Sequence, residues 1–91
     1  MEAPERVNCL IVSDGDKVYM IGGVDTSGNY YSEVWEVYPT IRRILTEGED
    51  TIFTPREGLA GFYWNGAIFV YGGHSQGNLY KDWLRLDLSK I

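Results

Sequence analysis

Two residue types that build many reactive sites are almost missing from this 91-residue chain, which has one cysteine and one histidine. With Cys9 alone, an internal disulfide is excluded, and Cys9 with the lone His74 does not make a zinc-binding set. Basic residues are also few: 8 Lys and Arg against 13 Asp and Glu leave a net charge of −5. The basic residues are scattered, so a surface that tracks phosphates is excluded and no nucleic-acid partner is expected. No apolar run approaches the roughly 20 residues that cross a bilayer, so no membrane association is expected. The opening Met1-Glu2-Ala3-Pro4-Glu5-Arg6 lacks the apolar stretch of a secretory leader. Together with the cysteine count, this points to a reducing, cytoplasmic compartment.

What is present suits a small folded β protein. Hydrophobic residues make up 44% of the chain and aromatics 14%, which argues against disorder. Eleven glycines favour short strands and tight turns.

The strongest signal is an internal repeat. Laying residue 6 over residue 56 places "RVNCLIVSDGDKVYMIGG" (6–23) on "REGLAGFYWNGAIFVYGG" (56–73) without a gap. Arg6 then meets Arg56, Tyr19 meets Phe69, and Gly22-Gly23 meets Gly72-Gly73. Dropping one loop residue places "EVWEVY" (33–38) on "DWLRLD" (82–87), so that Glu33 meets Asp82 and Trp35 meets Leu84. Each copy reads as strands. The apolar run Cys9 to Val12 predicts a strand buried on both faces. Asp14-Gly15-Asp16 and Asn65-Gly66 are tight-turn sequences leading into strands over 17–21 and 67–71. The glycine pairs end those strands, where the backbone must bend or be closely approached. Polar loops follow over 24–32 and 74–81. In the third strand Leu84, Leu86 and Leu88 alternate with Trp83, Arg85 and Asp87, the period of a half-buried strand. A fourth strand is expected near Ile41 to Leu45.

Arginine, two strands, a diglycine, a polar loop and an acid followed by an alternating strand: this order resembles the kelch repeat, a unit of about 50 residues. "TPREGLAGFYWNGAIFVYGG" with "DWLRLDL" lies close to that pattern, and "KVYMIGG" with "EVWEVYP" is a second example. The chain departs from it in two places. Pro4-Glu5-Arg6 separates a proline and arginine that are usually adjacent, and the usual tryptophan near the fourth strand is missing. The resemblance implies an all-β fold of two consecutive four-stranded antiparallel propeller blades, the second without its fourth strand, hence a partial β-propeller. Residues 1–46 would form the first blade, 47–55 a connection, and 56–91 the second blade. In such a fold Arg6 and Arg56 are expected to bridge to a neighbouring blade. Trp35, Trp64 and Trp83 are expected to pack between blades, and Gly22, Gly23, Gly72 and Gly73 to be structural. Glu47, Glu49 and Asp50 are expected to form a solvated connection.

One motif points elsewhere. Gly73-His74-Ser75-Gln76-Gly77 matches G-x-S-x-G, the nucleophile elbow of serine hydrolases. A serine needs a base, which in that fold order follows it, and no histidine follows Ser75. The only histidine adjoins it in sequence and points to the opposite side of an extended chain. The first copy, moreover, fills the place of the elbow helix with Val34 to Tyr38 and a proline, which is strand chemistry. We therefore read the match as a diglycine followed by a polar loop and assign no catalytic residue. His74 has no metal-ligating partner, so no metal and no cofactor are expected. Cys9, inside an apolar strand, reads as a buried, inert thiol.

In an antiparallel blade, the loop after the second strand and the entry into the first lie on one side. That places Asp25, Thr26, Ser27, Asn29, Tyr30, Tyr31, His74, Ser75, Gln76, Asn78 and Tyr80 on one face beside Arg56. Tyr, Ser, Asn and Gln suit adaptable protein contacts. The expected function is a non-catalytic interaction module or scaffold that binds a partner protein through these loops. The alternatives are a fragment of a kelch-type enzyme, as in galactose oxidases or sialic acid epimerases, and a self-assembling propeller piece. An isolated pair of blades leaves two apolar faces and a strand edge open. Further blades are accordingly expected, from self-association or from a longer chain.

Overall fold

The computed structural model of the chain describes residues 5–44 and 55–88, and no α-helix occurs among them. The first repeat supplies β1 (Leu10–Ser13), β2 (Val18–Ile21), β3 (Val34–Tyr38) and β4 (Arg42–Arg43), joined in chain order as one four-stranded antiparallel sheet. The second supplies β5 (Ala60–Trp64) and β6 (Ala67–Tyr71), a small ribbon of β7 (His74–Ser75) with β8 (Asn78–Leu79), and β9 (Trp83–Asp87). Strand β6 lies between β5 and β9 in a three-stranded sheet. Neither sheet closes on itself. The turns follow the residues that favour them. Asp14 Oδ1 accepts the backbone N–H groups of Asp16 and Lys17 between β1 and β2. Asn65 and Gly66 take φ of 50° and 86° between β5 and β6, the left-handed pair of a two-residue hairpin.

The repeat seen in the sequence is a repeat of bonds. Val7 and Val24 exchange backbone hydrogen bonds, and so do Glu57 and His74 at the matching positions. Tyr31 N–H donates to Gly23 C=O as Tyr80 N–H donates to Gly73 C=O. Gly22 N–H reaches Glu33 C=O as Gly72 N–H reaches Asp82 C=O. All four residues of the two glycine pairs have positive φ, the backbone reason for glycine there.

The two sheets pack face on face. Cross-strand partners point the same way, so register defines the faces. Leu10, Val12, Tyr19, Ile21 and Val34 share one face of the first sheet. Tyr63, Ile68, Val70, Leu84 and Leu86 share one face of the second. These two sets, with Ile44 and Leu59, form a single core cluster. Val34 and Ile68 are completely buried in it, each worth about 1.5–3 kcal/mol in apolar burial.

Several expectations are corrected. Strand β1 is covered on one face only: Val12 is buried, whereas Ile11 is 56% exposed, because the second sheet reaches just one side of it. The fourth strand is short, two arginines that pair with Trp35 and Glu36; Leu45 lies outside the described residues, as do Glu47, Glu49, Asp50 and most of the 47–55 connection. The loop over 74–81 contains the β7–β8 ribbon, because Gln76 and Gly77 make a left-handed turn. Trp64 and Trp83 do not pack between sheets; both are exposed on the open face of the second sheet. Trp35 is half-buried on the outer face of the first, where its Nε1 donates to Glu33. Cys9 is half-buried rather than buried, and its burial raises the thiol pKa above the ordinary value. The alternation of β9 stands as read: Leu86 is buried, Leu84 and Leu88 are half-buried, and Trp83 and Arg85 are exposed.

Candidate functional site

Each repeat builds the same cage around its arginine. In the first, Arg6 Nη2 donates to Glu33 Oε1 at 2.7 Å, and the guanidinium lies 3.5 Å from the centre of the Tyr31 ring. In the second, Arg56 Nη1 donates to Asp82 Oδ1 at 2.8 Å and to Gly72 C=O at 3.0 Å, with the guanidinium 3.8 Å from the Tyr80 ring centre. A flat cation between a carboxylate and an aromatic face is held on both sides, and desolvation strengthens both contacts. The Arg56 guanidinium in turn holds the Asp82 carboxyl below its ordinary pKa. Glycine is needed beneath it: a Cβ on Gly73 would lie 2.9 Å from Arg56 Cδ.

Among the described residues, the side-chain partners seen for each arginine belong to its own repeat. The backbone of Arg56 helps join the repeats, its N–H donating to Tyr31 C=O and its C=O accepting from Gly23 N–H, as Gly58 N–H donates to Asn8 C=O. Arg56 is not a contact residue of the loop face, since it is only 2% exposed. Sequence reasoning missed the acidic and aromatic partners, although the alignment of Glu33 with Asp82 carried the signal.

Around the cages the loops form a surface. Asp25 organises the first loop: its carboxylate accepts from the backbone N–H of Ser27 and Asn29, from Asn29 Nδ2, and from Tyr31 Oη at 2.6 Å. The Tyr31 hydroxyl, followed by these amide donors, holds its pKa far below the ordinary carboxylate value. Asp25 is thereby a loop-shaping residue, while Thr26, Ser27 and Asn29 remain exposed. In the second loop His74, Gln76 and Asn78 are exposed, Tyr80 is half-buried over Arg56, and Ser75 is buried. The Ser75 hydroxyl shares a 3.0 Å hydrogen bond with Tyr80 Oη. The G-x-S-x-G residues thus sit in a strand–turn–strand ribbon, not in the strand-to-helix turn of an elbow.

The two loops meet at a cleft of about 320 Å³ lined by Gly28, Asn29 and Tyr30 from the first repeat and Pro55, Ser75 and Gln76 from the second. Of the expected loop-face residues, the cleft brings Asn29, Tyr30, Ser75 and Gln76 together. A second hollow of about 290 Å³ is lined by Glu5, Arg6, Val7, Val24 and Thr26. Among the described residues no group of three or more His, Cys, Asp or Glu side chains is placed to hold a metal ion. No helix among them is long and apolar enough to cross a membrane. The cleft offers amide, hydroxyl and aromatic groups at an open surface, which suits recognition of a polar chain segment. No protein-family model matches the chain, and no curated protein matches its sequence.

Proposed function

We propose that this chain is a kelch-type propeller piece, two blades of a larger ring, that works as a non-catalytic interaction module in the cytoplasm and binds a partner protein across its loop face. The observation that carries this reading is the cleft between the two loops, where Asn29, Tyr30 and Gln76 converge from different repeats. Rigid loops carry such contacts better than mobile ones, and here the Asp25 network and the β7–β8 ribbon hold both loops in shape. The arginine cages support it from below by fixing where each loop leaves its sheet.

A comparison of affinity capture from cytosolic extract tests the reading. The wild-type chain is set against a Tyr30→Ala, Gln76→Ala double variant of unchanged melting temperature. A discrete protein retained by the wild type and lost with the double variant supports it. Equal retention by both would refute the loop cleft as the binding site. Covalent labelling by a fluorophosphonate that disappears in Ser75→Ala would replace the module with an enzyme.

A further inference from the structure

We infer that the chain associates head to tail with a second copy of itself, the aromatic face of its second sheet receiving the outer face of the other copy's first sheet. The proposal goes beyond the loop-face reading and does not depend on it.

Inside the chain, the face of the first sheet carrying Val12, Ile21 and Val34 is covered by the second sheet. The matching face of the second sheet carries Phe62, Tyr71 and Trp83 at the same repeat positions, and these are 49%, 37% and 61% exposed. They are in mutual contact, with Phe62 and Trp83 ring centres 6.2 Å apart and Tyr71 and Trp83 5.0 Å apart. A contiguous aromatic patch on an open sheet is a docking surface. The repeat states what fits it: the outward face of a first sheet, exposed at its β1 edge through Ile11 at 56%, with Met20 beside it buried.

Side-chain volumes agree at one of the two close pairs. Within the chain, Leu10 is placed against Gly61, where a Cβ would lie 2.8 Å from Leu10 Cδ2. Moving one repeat along, Leu10 becomes Ala60 and Gly61 becomes Ile11 of the second copy. The large residue changes sides, so the combined size is kept. A second close pair, Leu59 against Gly22 with a Cβ 2.5 Å from Leu59 Cδ1, becomes smaller instead. Its counterpart is Cys9 of the second copy against Gly72, where a Cβ would meet nothing nearer than Tyr80 C=O at 3.4 Å.

The backbone offers matching groups. Arg56 N–H and C=O bond to Tyr31 C=O and Gly23 N–H, and Gly58 N–H bonds to Asn8 C=O. The equivalent junction would join Arg6 of the second copy to Tyr80 C=O and Gly73 N–H. Asn8, whose φ of 56° resembles the 72° of Gly58, is already shaped for its part. The hollow beside Glu5, Arg6 and Thr26 is the loop cleft without its other wall. Gly77, Asn78 and Leu79 of the other copy stand at the positions that would supply that wall, and Leu79 is 70% exposed. Association would thus complete a second cleft. Because the two surfaces differ, the contact is heterologous and adds copies until a ring closes or the chain of copies ends.

The test uses the full chain and two variants at exposed positions, Trp83→Asp and Ile11→Asp, each checked by circular dichroism and melting. Light scattering is expected to give at least twice the monomer mass for the wild type and the monomer mass for each variant alone. Mixing the variants is expected to give a species of one copy each, since Trp83→Asp keeps a sound first sheet and Ile11→Asp a sound aromatic face. Should either variant fail to fold, Phe62→Glu and Ile11→Lys carry the same expectations. A monomeric wild type at about 100 micromolar, tenfold or more above the micromolar range of weak specific complexes, would overturn the proposal. So would Ile11→Asp assembling alone while Trp83→Asp does not, because the aromatic face would then be pairing with itself. Failure of the variants to recombine would also overturn it. The Tyr30→Ala, Gln76→Ala variant is expected to keep the wild-type mass, which separates this outcome from that of the loop reading.

Discussion

The two repeats share an order of strands, turns and cages, yet their matching residues live in different surroundings. Val34 is completely buried while Trp83, at the same place in the repeat, is 61% exposed. Gly22 is pressed by Leu59, whereas a Cβ on Gly72 would make only an ordinary contact with Tyr80 C=O at 3.4 Å. The difference does not come from local sequence, because both runs form the same strands with the same partners. It comes from position in the stack: the first repeat has a neighbour on its Val34 side, and the second has none on its matching side among the described residues. An equivalent residue is therefore structural in one repeat and available for contact in the other.

That comparison can be broken by substitution, beginning with the arginine cages. Arg56→Ala removes a buried cation with its carboxylate, carbonyl and ring contacts, and is expected to cost about 4 kcal/mol in urea unfolding. Arg6→Ala, from the cage without a preceding repeat, is expected to cost about half as much. Equal losses would show that a covering neighbour adds nothing to the cage.

The glycines sharpen the same point. Gly22→Ala would drive a methyl group into Leu59 and is expected to destabilise by about 3 kcal/mol, through overpacking added to backbone strain. Gly72→Ala meets no contact shorter than ordinary van der Waals distance and costs mainly its positive φ, about 1 kcal/mol. Thermal melts of the pair, compared at protein concentrations below any self-association, would measure the gap.

On the facing surfaces, Val34→Ala is expected to cost about 2 kcal/mol by cavity formation. Trp83→Ala is expected to cost under about 1 kcal/mol in the dissociated chain, since only ring contacts with its neighbours are lost. A larger loss for Trp83 would mean that its face is covered within a single chain.

The smallest expected effect is on pH. Asp25 and Asp82 have folded pKa values below their ordinary ones, so the unfolded chain binds more protons in acid. The stability they contribute is complete above the ordinary aspartate value of about 3.9 and is lost as pH falls through their lower folded values. Asp82 is exposed and Asp25 only partly buried, so the drop is modest. Asp82→Asn should flatten the acid limb of a stability–pH curve; an unchanged limb would show that the Arg56 contact does not set it.

Much of this was legible in the residues. Asn65-Gly66 marked a hairpin, the alternation around Leu84 and Leu86 marked a half-buried strand, and the ungapped match marked the repeat. The candidate loop face was legible too, because the diglycine and the following polar run placed Asn29, Tyr30 and Gln76 together. The sequence pointed to Arg56 as a bridging residue; among the described residues its backbone reaches Tyr31 and Gly23 of the other repeat, while its side chain meets Asp82, Gly72 and Tyr80. Sequence type alone cannot say which of an arginine's groups reaches across a junction. The expectation that the tryptophans pack between sheets depends on a neighbour: among the described residues no sheet covers Trp64 and Trp83, and both are exposed.

The sequence by itself determined the elements and their repetition, because turns, diglycines and period-2 alternation act over a few residues and need no distant partner. Tertiary structure alone decided which face of each sheet is covered, which arginine groups stay at home, and how two loops from different repeats share one cleft. Those outcomes depend on contacts between residues some fifty positions apart, as in the repeat's own period. Cross-strand register and the stacking of one sheet on the next assign them, and no local pattern encodes which neighbour will be there.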